Sequence, residues 1–167
     1  MIPGINGIHH VAISVDDLDR AEAFYCGTLG FDVVERYDFE PSDLGDRITG
    51  LTNAAARSLM IAAGNVYLEV FEFLSPVPAG YDGDRPVCDL GYTHLALDVD
   101  AAQIDAVYAA LEDAGVRWHH PPCDETDENL TMTYGRDPFG NVIELQALKP
   151  GCRFHGNRLR SLTVTRK

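Results

Sequence analysis

Two segments of the chain repeat one pattern of alternating apolar and polar residues. Residues 10–16 read His-Val-Ala-Ile-Ser-Val-Asp, and residues 94–100 read His-Leu-Ala-Leu-Asp-Val-Asp. Successive side chains of a strand point to opposite faces, so the three apolar residues of each segment share one face. His10 and His94 lie on the other face, beside small and polar side chains. The repeat predicts two strands, each with one face against a helix and one face lining a cavity.

A helical pattern follows each of these strands. In the first half, Asp16 or Asp17 is expected to cap a helix that ends at Gly30. In the second half, apolar residues at helical spacing run from Ile104 toward a stop at Gly115. The remaining apolar segments predict strands at residues 32–37, 57–63 and 66–73 and, in the second half, at residues 116–119, 130–134 and 141–147.

These elements give each half the order β-α-β-β-β and predict an α+β fold. We expect one domain over residues 1–148, followed by a basic C-terminal tail. A segment rich in proline and glycine separates the two halves. The expected parts are a first module at residues 7–74, a linker at 75–90, a second module at 91–148 and the tail at 149–167.

Two loops distinguish one half from the other. Residues 40–56 form an insertion in the first module, with a short helix expected near residues 43–51. Residues 121–129 form an acidic loop that starts with proline, and tight turns are expected at residues 64–65 and 137–141. Loops of this kind often edge a binding site. The substrate is therefore expected to depend on the parts that do not repeat.

The composition is that of a soluble protein with an acidic body. Hydrophobic residues make up 46% and charged residues 23% of the chain, as in ordinary globular proteins. The net charge of −13 argues against nucleic acid and anionic membranes as partners. No segment resembles a membrane span or a secretory signal. The four scattered cysteines, without a CxxC pair, favour a reduced, cytoplasmic protein.

The tail has the opposite charge. From Lys149 onward the chain carries six basic residues and no acidic one. Such a tail can dock on its own domain, on a partner subunit or on an anionic substrate, or it can be a mobile, solubilising terminus. The sequence leaves these alternatives open.

Each module ends in a strand that carries a glutamate. Glu69 and Glu144 lie opposite the apolar residues of their strands. Together with His10 and His94 they suggest a divalent metal site built by duplication. A buried carboxylate without a cation is costly to desolvate, and a bound ion removes that cost. Two imidazoles and two carboxylates suit one Ni²⁺, Co²⁺, Mn²⁺, Fe²⁺ or Zn²⁺ ion, and this donor set does not distinguish among these ions.

Three motifs together resemble the vicinal oxygen chelate superfamily. They are His-His-Val-Ala-Ile-Ser-Val at residues 9–15, Tyr-Thr-His-Leu-Ala-Leu-Asp-Val at residues 92–99 and Gly-Arg-Asp-Pro-Phe-Gly-Asn-Val-Ile-Glu-Leu at residues 135–145. The superfamily includes glyoxalase I, methylmalonyl-CoA epimerase, extradiol dioxygenases, and bleomycin and fosfomycin resistance proteins. The resemblance covers residues 8–148. It implies two βαβββ modules whose sheets curve into an open barrel around a metal.

The resemblance also assigns the metal ligands by their place in the motifs. Members of the metal-dependent isomerases and lyases hold the ion with the first and last strand of each module. In this chain those places are His10, Glu69, His94 and Glu144. His9 precedes the matching histidine and is expected to flank the site.

The activity implied by the resemblance is that of a divalent-metal-dependent isomerase or lyase of the glyoxalase or epimerase type. Such an enzyme moves a proton next to a carbonyl of a small metabolite, and Glu69 or Glu144 is implied as the catalytic base. One alternative is an Fe(II) extradiol-type dioxygenase, against which the additional carboxylate of Glu69 argues. The other is a non-catalytic antibiotic-binding protein, against which the complete ligand set argues. The substrate stays open, and we expect a homodimer because superfamily members often dimerise.

Further residues are expected near the substrate. Tyr67 and Phe71 share the face of Glu69, and Arg136 precedes a tight turn that it is equally suited to stabilise. The histidines at 119–120 come before two prolines and are expected at the end of a strand, with a proton carrier at the edge of a pocket as the alternative.

Overall fold

Two β-sheets, one in each half of the chain, form the framework of the protein. A computed structural model describes residues 7–80, 85–125 and 128–153. The chain divides into two compact units, with the boundary between Ala79 and Gly80. In each unit a sheet is accompanied by helical segments, so the predicted α+β class is confirmed. None of the helices in these described ranges has the length and apolar character that crossing a lipid bilayer requires.

The first unit contains a four-stranded mixed sheet with the strand order β1-β4-β3-β2. Strands β1 and β4 are parallel, whereas β4, β3 and β2 pair antiparallel. The elements are β1 (His10–Ser14), α1 (Leu18–Glu22), a π-helical segment (Ala23–Thr28), β2 (Asp32–Phe39), α2 (Asp43–Thr49), β3 (Ala55–Ala62) and β4 (Tyr67–Ser75). The short helix expected in the insertion is therefore present as α2.

The second unit repeats this plan with a more broken outer edge. Its sheet has the order β5-β9-β8-β6, and β7 also pairs with β8. The elements are β5 (Leu95–Asp98), α3 (Ile104–Asp113), β6 (Arg117–Trp118), β7 (Cys123–Glu125), β8 (Leu130–Arg136) and β9 (Val142–Leu148). Strand β7 corrects the expectation of a loop throughout residues 121–129. Its residues pair with β8 from Cys123 opposite Met132 onward.

The first helix starts and ends where the sequence predicted. The Asp17 side chain accepts a hydrogen bond of 2.9 Å from the backbone N–H of Arg20, which satisfies one of the unpaired donors at the helix start. After Glu22 the helix widens into the π-helical segment, which the apolar periodicity did not indicate. Gly30 follows with φ of 74°, a conformation that favours glycine and stops the helix.

The hydrophobic core of the first unit lies between the helical segment and one face of the sheet. Leu59 and Val70 are fully buried, and Ala21 and Phe24 of the helical segment are also buried. Burying a side chain of the Leu or Phe type contributes about 1.5–3 kcal/mol. This packing fixes which face of each strand meets the helix. The opposite face of β1 and β4 carries His10 and Glu69, as predicted from their phase.

Candidate functional site

The first histidine and glutamate meet because β1 and β4 lie side by side. Strand β1 pairs in parallel with β4, so that Ala12 faces Glu69 and His10 faces Tyr67. His10 Nε2 lies 3.2 Å from Glu69 Oε2. The Glu69 side chain is 13% exposed and the His10 side chain 40% exposed. This first His–Glu pair is thus a mostly buried carboxylate with an accessible imidazole.

Tyr37 holds the other oxygen of Glu69. Its hydroxyl donates a hydrogen bond to Glu69 Oε1 from strand β2, which is separated from β4 by β3. Burial raises the pKa of Tyr37, and the hydrogen bond and negative charge of Glu69 add to the effect. The phenol therefore stays protonated and acts as a donor at neutral pH. Tyr37 was not predictable from the sequence, because nothing in its local pattern indicates a contact across two strands.

The second histidine and glutamate meet in the same way. His94 directly precedes β5, which pairs in parallel with β9 so that Ala96 faces Glu144. His94 Nε2 lies 3.0 Å from Glu144 Oε2, and the Glu144 side chain is 9% exposed. Thr93 Oγ1 lies 2.9 Å from His94 Nδ1. A hydrogen bond between the Thr93 hydroxyl and Nδ1 orients the His94 ring, so that Nε2 is directed at the carboxylate.

A tyrosine also supports this second His–Glu pair. Tyr134 lies directly opposite Glu144 in the antiparallel pairing of β8 with β9. Its ring meets the His94 ring edge-on, with 5.0 Å between the centroids. Burial raises the pKa of Tyr134, with contributions from the charge of Glu144 and a side-chain hydrogen bond to it. In this case the sequence held a signal: the tyrosine lies on the predicted strand that forms a hairpin with the glutamate strand.

The neighbouring charged residues have structural contacts instead. Glu72 Oε2 accepts hydrogen bonds from the backbone N–H of Leu18, at 3.3 Å, and from Arg57 Nη1, at 3.0 Å. Glu72, in the opposite phase from Glu69 along β4, therefore faces the helix. His9 Nδ1 lies 2.9 Å from His10 Nδ1, and the His9 ring lies 5.1 Å from that of Tyr67. His9 thus flanks the first His–Glu pair.

The donor set of each unit suits a divalent ion but is incomplete by itself. Each pair offers one imidazole nitrogen and one largely buried carboxylate, which are donors that borderline divalent metals accept. Within either unit, the described residues gather two such donors and not a group of three or more. In catalytic zinc sites, three protein residues usually bind the ion. The four-residue site therefore stays a prediction.

Phe71 and Arg136, which were predicted near the substrate, contact other groups of the protein. Phe71 stacks on Phe73 with 5.5 Å between ring centroids, and it forms part of an aromatic cluster with Phe39. Arg136 is 5% exposed, donates to the Gly140 carbonyl at 2.8 Å and also donates to the Arg85 carbonyl. These contacts support the turn-stabilising alternative for Arg136. A role for it in substrate binding stays untested.

The turn after Arg136 positions the strand that carries Glu144. Asp137 is 1% exposed, and its Oδ1 accepts hydrogen bonds of 2.9 Å from the backbone N–H groups of Phe139 and Asn141. Its Oδ2 accepts a third from Asn141 Nδ2 at 3.0 Å. The predicted tight turn is thus built around a buried carboxylate.

The start of the basic tail docks on its own unit. Lys149 Nζ lies 2.7 Å from Asp124 Oδ1, and Arg153 Nε lies 3.1 Å from Glu128 Oε2. Cys152, between them, is buried. The rest of the tail, including His155, lies outside the described residues. For residues 149–153 the first of the predicted alternatives, docking on the same chain, is therefore the one observed.

The family of the protein follows from its sequence match. A family model described as Glyoxalase/Bleomycin resistance protein/Dioxygenase superfamily matches residues 7–145. The chain belongs to this superfamily. The resemblance inferred from the three motifs is therefore confirmed, and the two sheets agree with the fold it implied.

Three proteins are similar to this chain in sequence or in fold. A 2-epi-5-epi-valiolone epimerase of Actinomyces sp. is 33% identical over 92% of this chain and 85% of its own length. A glyoxalase family protein from Bacillus cereus superposes with a TM-score of 0.78 at 23% identity, covering 89% of this chain and 99% of that one. A variant of the fosfomycin resistance protein FosX from Listeria monocytogenes, solved with Mn(II) and 1S,2S-dihydroxypropylphosphonic acid, has a TM-score of 0.60 at 15% identity, with 92% and 99% covered. The latter two likenesses concern the fold alone.

Proposed function

We propose that the protein is a divalent-metal-dependent isomerase of the epimerase type, acting on a small, uncharged, polyhydroxylated ketone. The observation that carries the proposal is the duplicated His–Glu pair, at 3.2 Å in one unit and 3.0 Å in the other. Each pair lies at equivalent strand positions, and each carboxylate has its own tyrosine hydroxyl. Such a matched arrangement suits a reaction that removes a proton from a carbon and returns it.

His10, Glu69, His94 and Glu144 are the residues proposed to hold the ion. When bound, a divalent ion supplies Lewis-acid stabilisation of the negative charge that develops on a carbonyl oxygen. The donor set agrees with this part of the proposal, since imidazole and carboxylate donors suit such divalent ions.

The proton is proposed to move through one or both of the glutamates. A carboxylate is a competent base when it lies within hydrogen-bond reach of the acidic carbon. Tyr37 and Tyr134 each donate to one of these carboxylates and fix its orientation. Because burial raises the pKa of both tyrosines, the phenols keep their hydrogens and do not compete as bases at neutral pH.

Two observations favour an uncharged substrate. The net charge of −13 disfavours the anionic glutathione and CoA conjugates that other superfamily chemistry uses. The Actinomyces relative is named as an epimerase of 2-epi-5-epi-valiolone, an uncharged cyclic polyhydroxyketone, and it is similar over most of both chains. We therefore include that compound as the first substrate to test.

The direct test is exchange of the substrate α-proton with solvent. The purified protein, supplied separately with Mn²⁺, Ni²⁺, Co²⁺ and Zn²⁺, is incubated in heavy water with 2-epi-5-epi-valiolone and with simple 2-hydroxyketones, and NMR follows both deuterium uptake and the epimer. We expect stereoselective uptake that stops with Glu144→Gln. The matched control, Glu72→Gln, removes a carboxylate from the helix-facing side of β4 and is expected to exchange at the wild-type rate. Absence of exchange with every metal and ketone would contradict the proposal.

The alternatives are tested in the same preparation. Ring cleavage of a catechol with Fe²⁺ under air would favour the dioxygenase. Tight binding of an aromatic antibiotic to metal-free protein would favour the non-catalytic resistance protein. The proposal includes a homodimer, for which light scattering after size-exclusion chromatography is expected to give twice the chain mass of 18.3 kDa.

A further inference from the structure

A cavity in the second unit is lined by a thiol and an imidazole in contact with each other. The cavity has a volume of about 240 Å³, and its lining includes His119, His120, Cys123 and Tyr134. This volume lies below the roughly 300 Å³ at which pockets for drug-sized ligands begin. The cavity therefore suits a small molecule.

Cys123, His120 and the backbone form a tight group of polar atoms. Cys123 Sγ lies 3.1 Å from His120 Nδ1 and 3.2 Å from the Pro121 carbonyl oxygen. His120 Nδ1 also lies 2.8 Å from that carbonyl oxygen. A carbonyl oxygen only accepts hydrogen bonds, so Nδ1 carries its hydrogen in this arrangement. The Nδ1–H group thus donates to the carbonyl oxygen and lies within reach of the sulfur, whose own hydrogen is directed at the same carbonyl.

The thiol lies on the same sheet face as the second His–Glu pair. Cys123 faces Met132 in the β7–β8 pairing, and Tyr134 faces Glu144 in the β8–β9 pairing. Residues two apart on a strand share a face, and so do residues that face each other across a ladder. Cys123, Met132, Tyr134 and Glu144 therefore share one face. Tyr134 also lines the cavity, so the thiol opens onto the space beside the tyrosine that supports Glu144.

We propose that Cys123, assisted by His120, is a covalent modification site for small uncharged α,β-unsaturated carbonyl compounds. The sulfur attacks the β-carbon of the compound, and a carbon–sulfur bond forms as the carbon–carbon π bond breaks. The electron pair passes to the enolate, whose α-carbon then takes up a proton equivalent to the one that left the thiol. The addition is redox-neutral and needs no further reactant.

The surroundings explain both the nucleophile and its selectivity. The N–H of His120 stabilises the negative charge on the sulfur as it attacks, the role that adjacent cationic or donor groups have at other nucleophilic cysteines. The carboxylates of Glu125 and Asp124 also line the cavity, and that of Asp124 is paired with Lys149. The charge of Glu125 disfavours anionic electrophiles, which leaves uncharged ones as the expected ligands.

The other cysteines provide an internal reference. Cys88 is exposed like Cys123 and belongs to the same unit, and the described residues place no histidine in hydrogen-bond contact with it. Cys26 is half-buried and Cys152 is buried. A comparison of Cys123 with Cys88 therefore isolates the effect of the imidazole and the cavity from that of exposure.

The test is a timed reaction of the full-length protein with substoichiometric N-ethylmaleimide at neutral pH, with each cysteine quantified by peptide mass spectrometry. We expect Cys123 to react at least about tenfold faster than Cys88, the factor that one hydrogen bond to a charged group supplies. His120→Ala is expected to remove that advantage. His119→Ala, which changes the neighbouring cavity residue without removing the contact to sulfur, is expected to keep it.

The outcomes distinguish reactivity caused by His120 from reactivity caused by solvent exposure of the thiol alone. A Cys123 to Cys88 rate ratio below about tenfold in the wild-type protein overturns the proposal, whatever the variants do. So does a ratio that His120→Ala leaves unchanged. Rapid labelling of buried Cys152 marks an unfolded variant, and the wild-type ratio then decides. A maleimide that carries a carboxylate is expected to show a smaller ratio than the uncharged reagent.

Discussion

Tyr134 supports Glu144 from the adjacent strand, directly across the β8–β9 ladder. The equivalent position in the first unit, opposite Glu69, is occupied by Met60, and the supporting hydroxyl comes instead from Tyr37 on β2. Two halves with the same strand plan thus give their carboxylates the same kind of partner from different strands. The duplication preserved the chemistry of the contact and not the position of the residue.

Removing the Tyr134 hydroxyl is expected to lower the affinity for Mn²⁺ and the rate of proton exchange. In Tyr134→Phe the Glu144 carboxylate loses a donor that orients it, and such partners of metal-bound groups typically contribute about 10–100-fold. Titration of metal-free protein with Mn²⁺ and the heavy-water exchange rate measure the effect. Tyr92→Phe, at a position 73% exposed, is the control and is expected to have no effect. Equal behaviour of the two variants would remove Tyr134 from the site.

Metal content tests the proposed ligands directly. Protein purified without chelator is expected to hold about one divalent ion per chain, and His10→Ala and Glu144→Ala are expected to lose it because each removes a donor. Elemental analysis measures the content. Glu72→Gln, on the helix-facing side, should keep the ion, and its loss there would argue for a general folding defect. Chelation of the wild-type protein is expected to lower Tm, since an ion that binds only the folded state stabilises it.

A side chain at Gly135 is expected to destabilise the protein. A Cβ atom at this position would lie 2.5 Å from Trp118 Cε3 and 2.9 Å from the Arg117 carbonyl oxygen, so the β6–β8 pairing must shift. Overpacking of this kind costs about 1–3 kcal/mol, which we expect to see in urea unfolding of Gly135→Ala. The comparison is Gly27→Ala, where a Cβ meets nothing within 4 Å in a helical segment. That variant is expected to be neutral or more stable by up to about 1 kcal/mol.

Cys26 is expected to resist alkylation at neutral pH. Burial, reinforced by the charges of Glu22 and Asp32, raises the pKa of Cys26 to about 11, although Arg36 partly opposes this. The folded protein therefore retains the thiol proton, and the reactive thiolate amounts to about one part in a hundred at pH 9. The labelling rate of Cys26 should still rise between about pH 9 and 10, where that of an ordinary thiol levels off. Glu22→Gln is expected to shift this profile to lower pH, and an unchanged profile would contradict a contribution of Glu22 to the raised pKa of Cys26.

The strands and helices were largely predictable because their apolar residues alternate with a clear period. The phase of His10, Glu69, His94 and Glu144 follows from the same alternation, and the structure places each histidine beside its glutamate. Glu72, three positions beyond Glu69, lies in the opposite phase for the same reason. The pairing of first and last strands came from the family resemblance, since no local pattern states which strands become neighbours.

Contacts across the sheet were not predictable from local patterns. The hydroxyl of Tyr37 reaches Glu69 only because β2, β3 and β4 lie side by side, with Tyr37 on the face that carries Glu69. The strand at Cys123–Glu125 was missed because two prolines precede it and its three residues carry no apolar alternation. The sequence predicted a loop at Cys123. Its pairing with β8 instead places Cys123 on the face of the sheet that carries Glu144.

The parallel pairing of β1 with β4, and of β5 with β9, also bears on how the protein is made. Each His–Glu contact joins the beginning of a module to its end, so neither can form until almost the whole module has been synthesised. Contacts of such high sequence separation are slow to form, because loop-closure entropy must be overcome first. An ion that needs both members of a pair would therefore bind last, and its uptake would mark the completion of folding.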